Sequence, residues 1–415
     1  MSFLAEIMST LFDRRLGLRI EIGGDNRSIE DICQALADSV AETSTTVLGG
    51  RILQKYEELD DTEKLAFFRF IAREMTIDAD RVREALGRLE KGATRETYGA
   101  FMEAVEPPRQ ELIRRINRVP NATGKLVRMR QDLLRLGSGE PDLQALDLDF
   151  RHLFASWFNR GFLVLRRISW ESPAHILEKI IAYEAVHAID SWEELRRRLE
   201  PPDRRCFAFF HPAMPDEPLI FVEVALTSGV PGAIRTLLAD DRERLRPEDA
   251  DTAAFYSISN CQAGLSGISF GNSLIKQVAA DLSMELPAIK TFVTLSPIPG
   301  LCKWLKRQDA ILEPDDTDRI LRAAARYILM AKRTDGLPLD PVARFHLGNG
   351  AEVHAVHAGA DPSPKGQEQS AGAMVNYLYN LPKASQNQEQ FAAAGKIAAS
   401  AQVKSLAAAA FELQT

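Results

Sequence analysis

The spacing of apolar residues changes character near residue 160, and this one change limits the chain to a helical part followed by a mixed one. Ahead of it, apolar side chains recur every three or four positions: Leu65, Phe68, Ala72 and Met75 share a face, as do Val82, Leu86 and Leu89, and Leu126, Met129, Leu133 and Leu136. Ser28 with Asp31 marks a helix start, and Pro107-Pro108 ahead of an amphipathic stretch from Arg109 to Arg118 marks a break and a restart. This pattern predicts a helical bundle. It holds no cluster of acids, histidines or glycines that points to chemistry, so packing or assembly is its expected role.

Beyond that point β-rich runs alternate with helical ones. Strands are expected over 162–168, 206–210, 219–226, 255–259 and 291–295, and helices over 172–183, 191–199, 272–282, 316–331 and 384–406. The expected class is therefore α+β, with domains at 1–160 and 161–415. The Ala-rich tail from Ala392 to Ala410 favours helix and a structural role. His211-Pro212 with Pro215-Asp216-Glu217-Pro218 reads as a hairpin connection.

Charge and cysteine usage then exclude several functions. A net charge of -7 argues against a general nucleic-acid binder, which needs a basic excess to displace counterions. Cys33, Cys206, Cys261 and Cys302 lack any CxxC pair, so free thiols in a reducing compartment are expected, not a disulfide frame or a zinc site. No apolar run reaches membrane-spanning length, and Met1–Glu6 opens no signal-like stretch, which predicts a cytosolic protein with no membrane partner.

Three segments carry candidate chemistry. Between the fourth strand and the next helix, Gly264, Gly267 and Gly271 let backbone amides approach an anion, and the helix start adds unpaired N–H groups; a diphosphate would fit there. Such turns are common between strand and helix, so the context has to support the reading. Ser296 follows the fifth strand in Thr294–Gly300, where serine beside proline more often caps a turn. His346 lies in Phe345–Gly350, a setting of Gly and Asn expected to bend the backbone instead of continuing a helix. Residues at the carboxyl ends of neighbouring strands face a common crevice, so the glycine loop and Ser296 should open onto one site. His354 and His357 form an HxxH without further ligands at metal-site spacing, which is better read as two histidines along a strand or turn. A GxSxG elbow is absent around Ser296, which weighs against a hydrolase.

The segments Phe209–Pro212, Pro215–Leu219, Val224–Thr227, Phe255–Ser259, Gly264-Leu265, Leu295–Gly300, His346-Leu347, Asn349–Ala351 and Met374–Tyr377 resemble malonyl-CoA decarboxylases. The likeness runs along essentially the whole chain, and the LSPIPG and NYxY segments are its most specific parts. It implies a helical domain followed by an acetyltransferase-like (GNAT-like) catalytic domain. It also implies a Ser-His pair at Ser296 and His346, a supporting Tyr379, and malonyl-CoA contacts along Ser266, Gly267, Ile268, Ser269, Phe270, Gly271 and Asn272. The implied partners are malonyl-CoA and acetyl-CoA, with self-association as dimer or tetramer. No metal or other cofactor is expected, because the thioester is its own electron sink. Two departures stand out: Ser269 occupies a position that is glutamate in animal members, and Phe411–Thr415 lacks their peroxisomal Ser-Lys-Leu, which suits a bacterial-type cytosolic enzyme. The competing readings are an acyl-CoA-dependent N-acyltransferase, which shares the same element order, and a non-enzymatic CoA sensor or helical interaction protein, in which the helical N-terminal part would be the active one.

Overall fold

A computed structural model describes residues 26–39, 41–268, 274–310, 312–313 and 315–409. It divides into two compact units, Met1–Leu153 and Phe154–Thr415. The first unit is helical: α1 (Ile29–Asp38), α2 (Glu42–Glu58), α3 (Asp61–Glu74), α4 (Ala79–Lys91), α5 (Arg95–Val105), α6 (Pro108–Ile116), α7 (Ala122–Leu136) and the start of α8 (Pro141–Trp157). Local signals set the starts. Ser28 accepts the Asp31 N–H, Asp60 and Glu63 form a reciprocal capping box, and Pro108 occupies the first turn of α6. Phe67, Phe68, Ile71, Leu112, Ile116, Leu126 and Leu133 are buried as the spacing requires. The face expected on α4 is buried only at Ala85, while Leu86 stays 40% exposed.

In the second unit the elements follow in the order β1 (Val164–Ile168), α9 (Ala174–Tyr183), α10 (Trp192–Leu199), β2 (Arg204–His211), β3 (Met214–Thr227), α11 (Ile234–Leu238), β4 (Thr252–Asn260), α12 (Leu274–Glu285), β5 (Thr291–Thr294) and β6 (Ser296–Pro297). Then come α13 (Leu301–Lys306), α14 (Thr317–Met330), α15 (Pro341–Gly348), β7 (Glu352–His357), α16 (Pro364–Ser370), β8 (Met374–Leu378), α17 (Leu381–Ala394) and α18 (Ala401–Ala408). This is the α+β order the sequence implies. The eight strands form one sheet, β1-β2-β3-β4-β5-β8-β6 with β7 on β8, antiparallel except for the β4/β5 pair. Helix α12 supplies the crossover that a parallel pair needs. One face of the sheet packs Phe209, Val222, Val224 and Val375 with Val278, Leu282, Ile320 and Ile328 of the covering helices, and the other packs Cys206, Phe210 and Phe221 with Ile180 and Leu195 of α9 and α10.

Several elements differ from expectation. The run 384–406 is two helices, not one: Gly395 takes φ +61, and the strand-like Ala398–Ser400 stretch then adds backbone bonds to the free edge of β7 at Val353. An unpaired edge recruits backbone more strongly than alanine propensity holds a helix. The hairpin turn is only Pro212-Ala213, and Pro215–Pro218 belongs to β3, where bulges opposite Phe209 and Phe210 accommodate the prolines. Strands β6, β7 and β8 escape sequence reading because they are short and their alternation is interrupted by polar residues.

Two features of the sheet position the site. The β3/β4 register shifts between Glu223 and Val224, which leaves Tyr256 as an extra residue on β4. Past the Phe255–Thr294 pair, β4 and β5 have no further register partners, and the chain beyond β5 goes to β8 through β6 instead. The sheet therefore splits between Tyr256–Asn260 on one side and Leu295–Pro297 on the other.

Candidate active site

A cavity of about 220 Å³ fills the split, lined by Phe255, Tyr256, Ile258, Leu295, Ser296, Val342, Phe345 and His346 among others. Among the described residues no lysine or arginine lines it. A second cavity of about 630 Å³ shares Asn260 and Phe345 with the first and reaches Gln262, Ser266, Gly267, Ile268 and the start of α12. The glycine loop and Ser296 thus open onto adjoining space, as the strand ends require. Gly267 takes φ +74, the left-handed turn that glycine allows. Ser269, Phe270, Gly271 and Asn272 lie outside the described residues.

Ser296 is the first residue of β6, paired with Val375. It does not cap the following helix, whose start at Gly300 has no side-chain cap. His346 sits in the last turn of α15, so the helix runs through it and bends only afterwards. The bend expected at His346 itself is corrected by two residues: the His346 carbonyl accepts N–H groups from Asn349 and Ala351, and Gly350 turns at φ +85. A Cβ at Gly350 would lie 2.0 Å from the Ala384 carbonyl oxygen, so only glycine fits.

Fifty positions apart in sequence, Ser296 Oγ and His346 Nε2 are 3.2 Å apart, and both residues are buried. On the far side of the ring, Nδ1 lies 2.8 Å from the Tyr379 hydroxyl, which is buried as well. Ser296 Oγ donates to Thr294 Oγ1 at 2.8 Å, and Thr294 Oγ1 also accepts the Tyr377 N–H at 3.2 Å. The Tyr377 ring stacks on the imidazole at 4.5 Å and 21°. Burial pushes His346 down to about 3 and Tyr379 well above its usual 10, so both are neutral at physiological pH.

Sequence reasoning missed Thr294, Tyr377, Asn376 and Asp340. Asn376 is fully buried and donates to the Thr294 carbonyl at 2.9 Å and to the Pro231 carbonyl. The period of two along β8 was the available signal, since it puts Tyr377 and Tyr379 on one face. Asp340-Pro341 was another, as a cap residue followed by proline at the first helical position. His354 and His357 both lie on β7, and His357 Nε2 meets Asn376 Oδ1. Among the described residues no three His, Cys, Asp or Glu side chains gather as a metal site, and no helix is long and apolar enough to cross a membrane.

Fold and site together define a two-part α+β protein whose mixed sheet opens onto a buried serine-histidine-tyrosine chain. Comparison with known proteins narrows this class. The model of the malonyl-CoA decarboxylase C-terminal domain matches residues 161–320 and 315–414, and that of the N-terminal domain matches 76–158. The chain belongs to the malonyl-CoA decarboxylase family. It is 34% identical to the mitochondrial malonyl-CoA decarboxylase of Anser anser anser, over 81% of this chain and 78% of the goose protein. Among solved structures, the malonyl-CoA decarboxylase of Rhodopseudomonas palustris superposes with a TM-score of 0.86 at 48% identity, covering 91% of this chain and 98% of that one. That of Agrobacterium vitis gives 0.85 at 46% identity, with 91% and 99% covered.

Proposed function

We propose that this chain converts malonyl-CoA to acetyl-CoA and CO2, and that Ser296 protonates the nascent carbanion. The observation that carries the reading is the direction of the hydrogen-bond chain into a cavity lined by no cation. A neutral phenol donates better than it accepts, and Tyr379 would bury an unused O–H if Nδ1 held the ring proton. We therefore assign the proton to Nε2, which donates to Ser296 Oγ, while the serine proton points at Thr294. In this tautomer the histidine cannot serve as a base toward the serine. A nucleophilic serine or an amine acceptor, as a hydrolase or N-acyltransferase needs, would find the wrong nitrogen protonated.

Decarboxylation suits the same arrangement. A malonyl carboxylate in the 220 Å³ cavity meets Phe255, Ile258, Leu295 and Val342 and no lysine or arginine, so its localised charge is poorly solvated. Breaking the bond between C2 and the carboxylate carbon releases CO2 and spreads that charge into a thioester enolate. Backbone amides at the cavity wall would stabilise the enolate oxygen, and Tyr256, left without a register partner by the bulge, lines that wall. Ser296 then turns its O–H from Thr294 to C2. The Nε2 proton moves to the serine oxygen, the Tyr379 proton moves to Nδ1, and the charge that began on the carboxylate ends on the Tyr379 oxygen until solvent returns a proton. The CoA moiety lies in the 630 Å³ cavity, its diphosphate against the amides of the Ser266–Asn272 loop.

Exposed Ile77, Leu86, Tyr98 and Met102 in the helical unit support self-association as dimer or tetramer, and the same reading places the enzyme in the cytosol. Purified protein given malonyl-CoA without an amine tests the activity: CO2 and acetyl-CoA in equal amounts support it. Intact malonyl-CoA, or free CoA with malonate, refutes it.

A further inference from the structure

Asp340 is a buried acid that the chemistry above leaves unused. It is 1% exposed and caps α15, the histidine's helix, with Oδ1 accepting the Ala343 N–H at 2.8 Å. Its Oδ2 is sealed from solvent without a formed hydrogen bond. From longer range the carboxylate is drawn on by the N–H groups of Val342 and Gly300 and by the Tyr327 hydroxyl. Gly300 ends the segment that begins with Ser296, and Tyr327 stands on α14. Gly300 and Tyr327 are packed tightly together: a Cβ on Gly300 would lie 2.0 Å from the Tyr327 hydroxyl oxygen. Tyr377, stacked on His346, also feels the Asp340 charge, as do Arg344 from the same helix and Tyr327 from α14. Arg307, past the end of α13, acts on Tyr327.

A helix start needs one acceptor, and serine or asparagine supplies it at least as well. Burying a second, unbonded carboxylate oxygen costs stability and calls for another role. We infer that Asp340 is a positioning residue: its carboxylate ties the Ser296 segment, through Gly300 and Tyr327, to the first turn of the helix bearing His346, and so sets the gap between the two side chains. The inference rests on the decarboxylase reading above. Burial lifts the Asp340 carboxyl to about 6. The tie therefore holds in the ionised form and slackens as pH falls through that value, whereas His346, depressed to about 3, contributes no titration there.

Asp340→Asn in the full chain separates the two roles. Its carbonyl oxygen still caps α15, but its amide N–H groups face the Gly300 N–H and cannot accept from it. With malonyl-CoA between about pH 5 and pH 8, kcat should drop about tenfold at neutral pH with KM within about twofold. The acid-side fall in kcat near pH 6 expected of the wild type should be absent from the variant. Asp340→Ser, which caps but has no second oxygen, should behave alike and covers the case in which the asparagine variant fails to fold. A kcat within about twofold of wild type in both, or an acid limb that persists, overturns the inference. So does a loss shared by kcat, KM and melting temperature, which would mark a merely structural cap. Should the wild type release no CO2, the decarboxylase reading fails by itself, and the ring 15N shifts of His346 then test the tie: altered shifts in Asp340→Asn support it and unchanged shifts overturn it.

Discussion

Replacing Tyr379 by phenylalanine removes one oxygen from the far end of the chain and nothing from the cavity. The 2.8 Å bond to Nδ1 joins two buried partners, so the ring nitrogen is left without a donor where water does not replace it. An unsatisfied buried acceptor costs about 1–3 kcal/mol. Neither tautomer then satisfies Nδ1, so the bias that held the proton on Nε2 is gone, and the form with Nδ1 protonated, in which Nε2 accepts the Ser296 O–H and the chain is reversed, becomes populated. Opposing this switch in the wild type with the same 1–3 kcal/mol corresponds to about 5- to 150-fold in population. Tyr379→Phe should therefore lose about 10- to 100-fold in kcat with little change in KM, because the phenol touches no substrate. Steady-state kinetics reads the rate, and 15N chemical shifts of the His346 ring read the tautomer. A variant with wild-type kcat, or one whose Nε2 is still protonated as in the wild type, refutes the reasoning.

Ser296→Ala and His346→Asn should each remove most turnover, by about a hundred- to ten-thousand-fold, while acetyl-CoA binding measured by calorimetry persists. Thr294→Val keeps the shape of a fully buried residue but deletes the oxygen that holds the serine proton; kcat should fall by about tenfold with KM unchanged, and an equal kcat would exclude the role. Gly267→Val forces a side chain onto a left-handed backbone and blocks approach to the loop amides, so KM for malonyl-CoA should rise strongly. Acid stability should also report on the histidine. His346 is held neutral down to about 3, so between about pH 6.5 and pH 3 the unfolded chain binds the extra proton and stability falls as pH falls. His346→Asn should abolish roughly 3 kcal/mol of that loss at about pH 4, measured by urea unfolding.

Much of the fold could be read from the chain because its signals are local. Ser28, Asp60 and Pro108 start helices with their own side chains, and the β2–β4 segments carry long apolar runs. What escaped reading depends on partners distant in sequence. Strand β6 is two residues long and exists only because Val375 and Met374 lie opposite, and the helix expected over 384–406 breaks because β7 offers an edge. The site shows the same division. Ser296, His346 and Tyr379 come from motifs, whereas Thr294 matters through the serine hydroxyl two residues on that it accepts from, and Asp340 through the helix it caps, which carries His346. The histidine was expected at a bend because Gly348-Asn349-Gly350 follow it, yet those residues end a helix that has already placed the ring.

The fate of C2 tests the account most directly. Malonyl-CoA incubated with the enzyme in D2O, without any amine, should give one CO2 and one singly deuterated acetyl-CoA for each substrate consumed, with the rate collapsing in Ser296→Ala. Free malonate and CoA, substrate that waits for an amine, or deuteration that proceeds at full rate without the serine hydroxyl would contradict it.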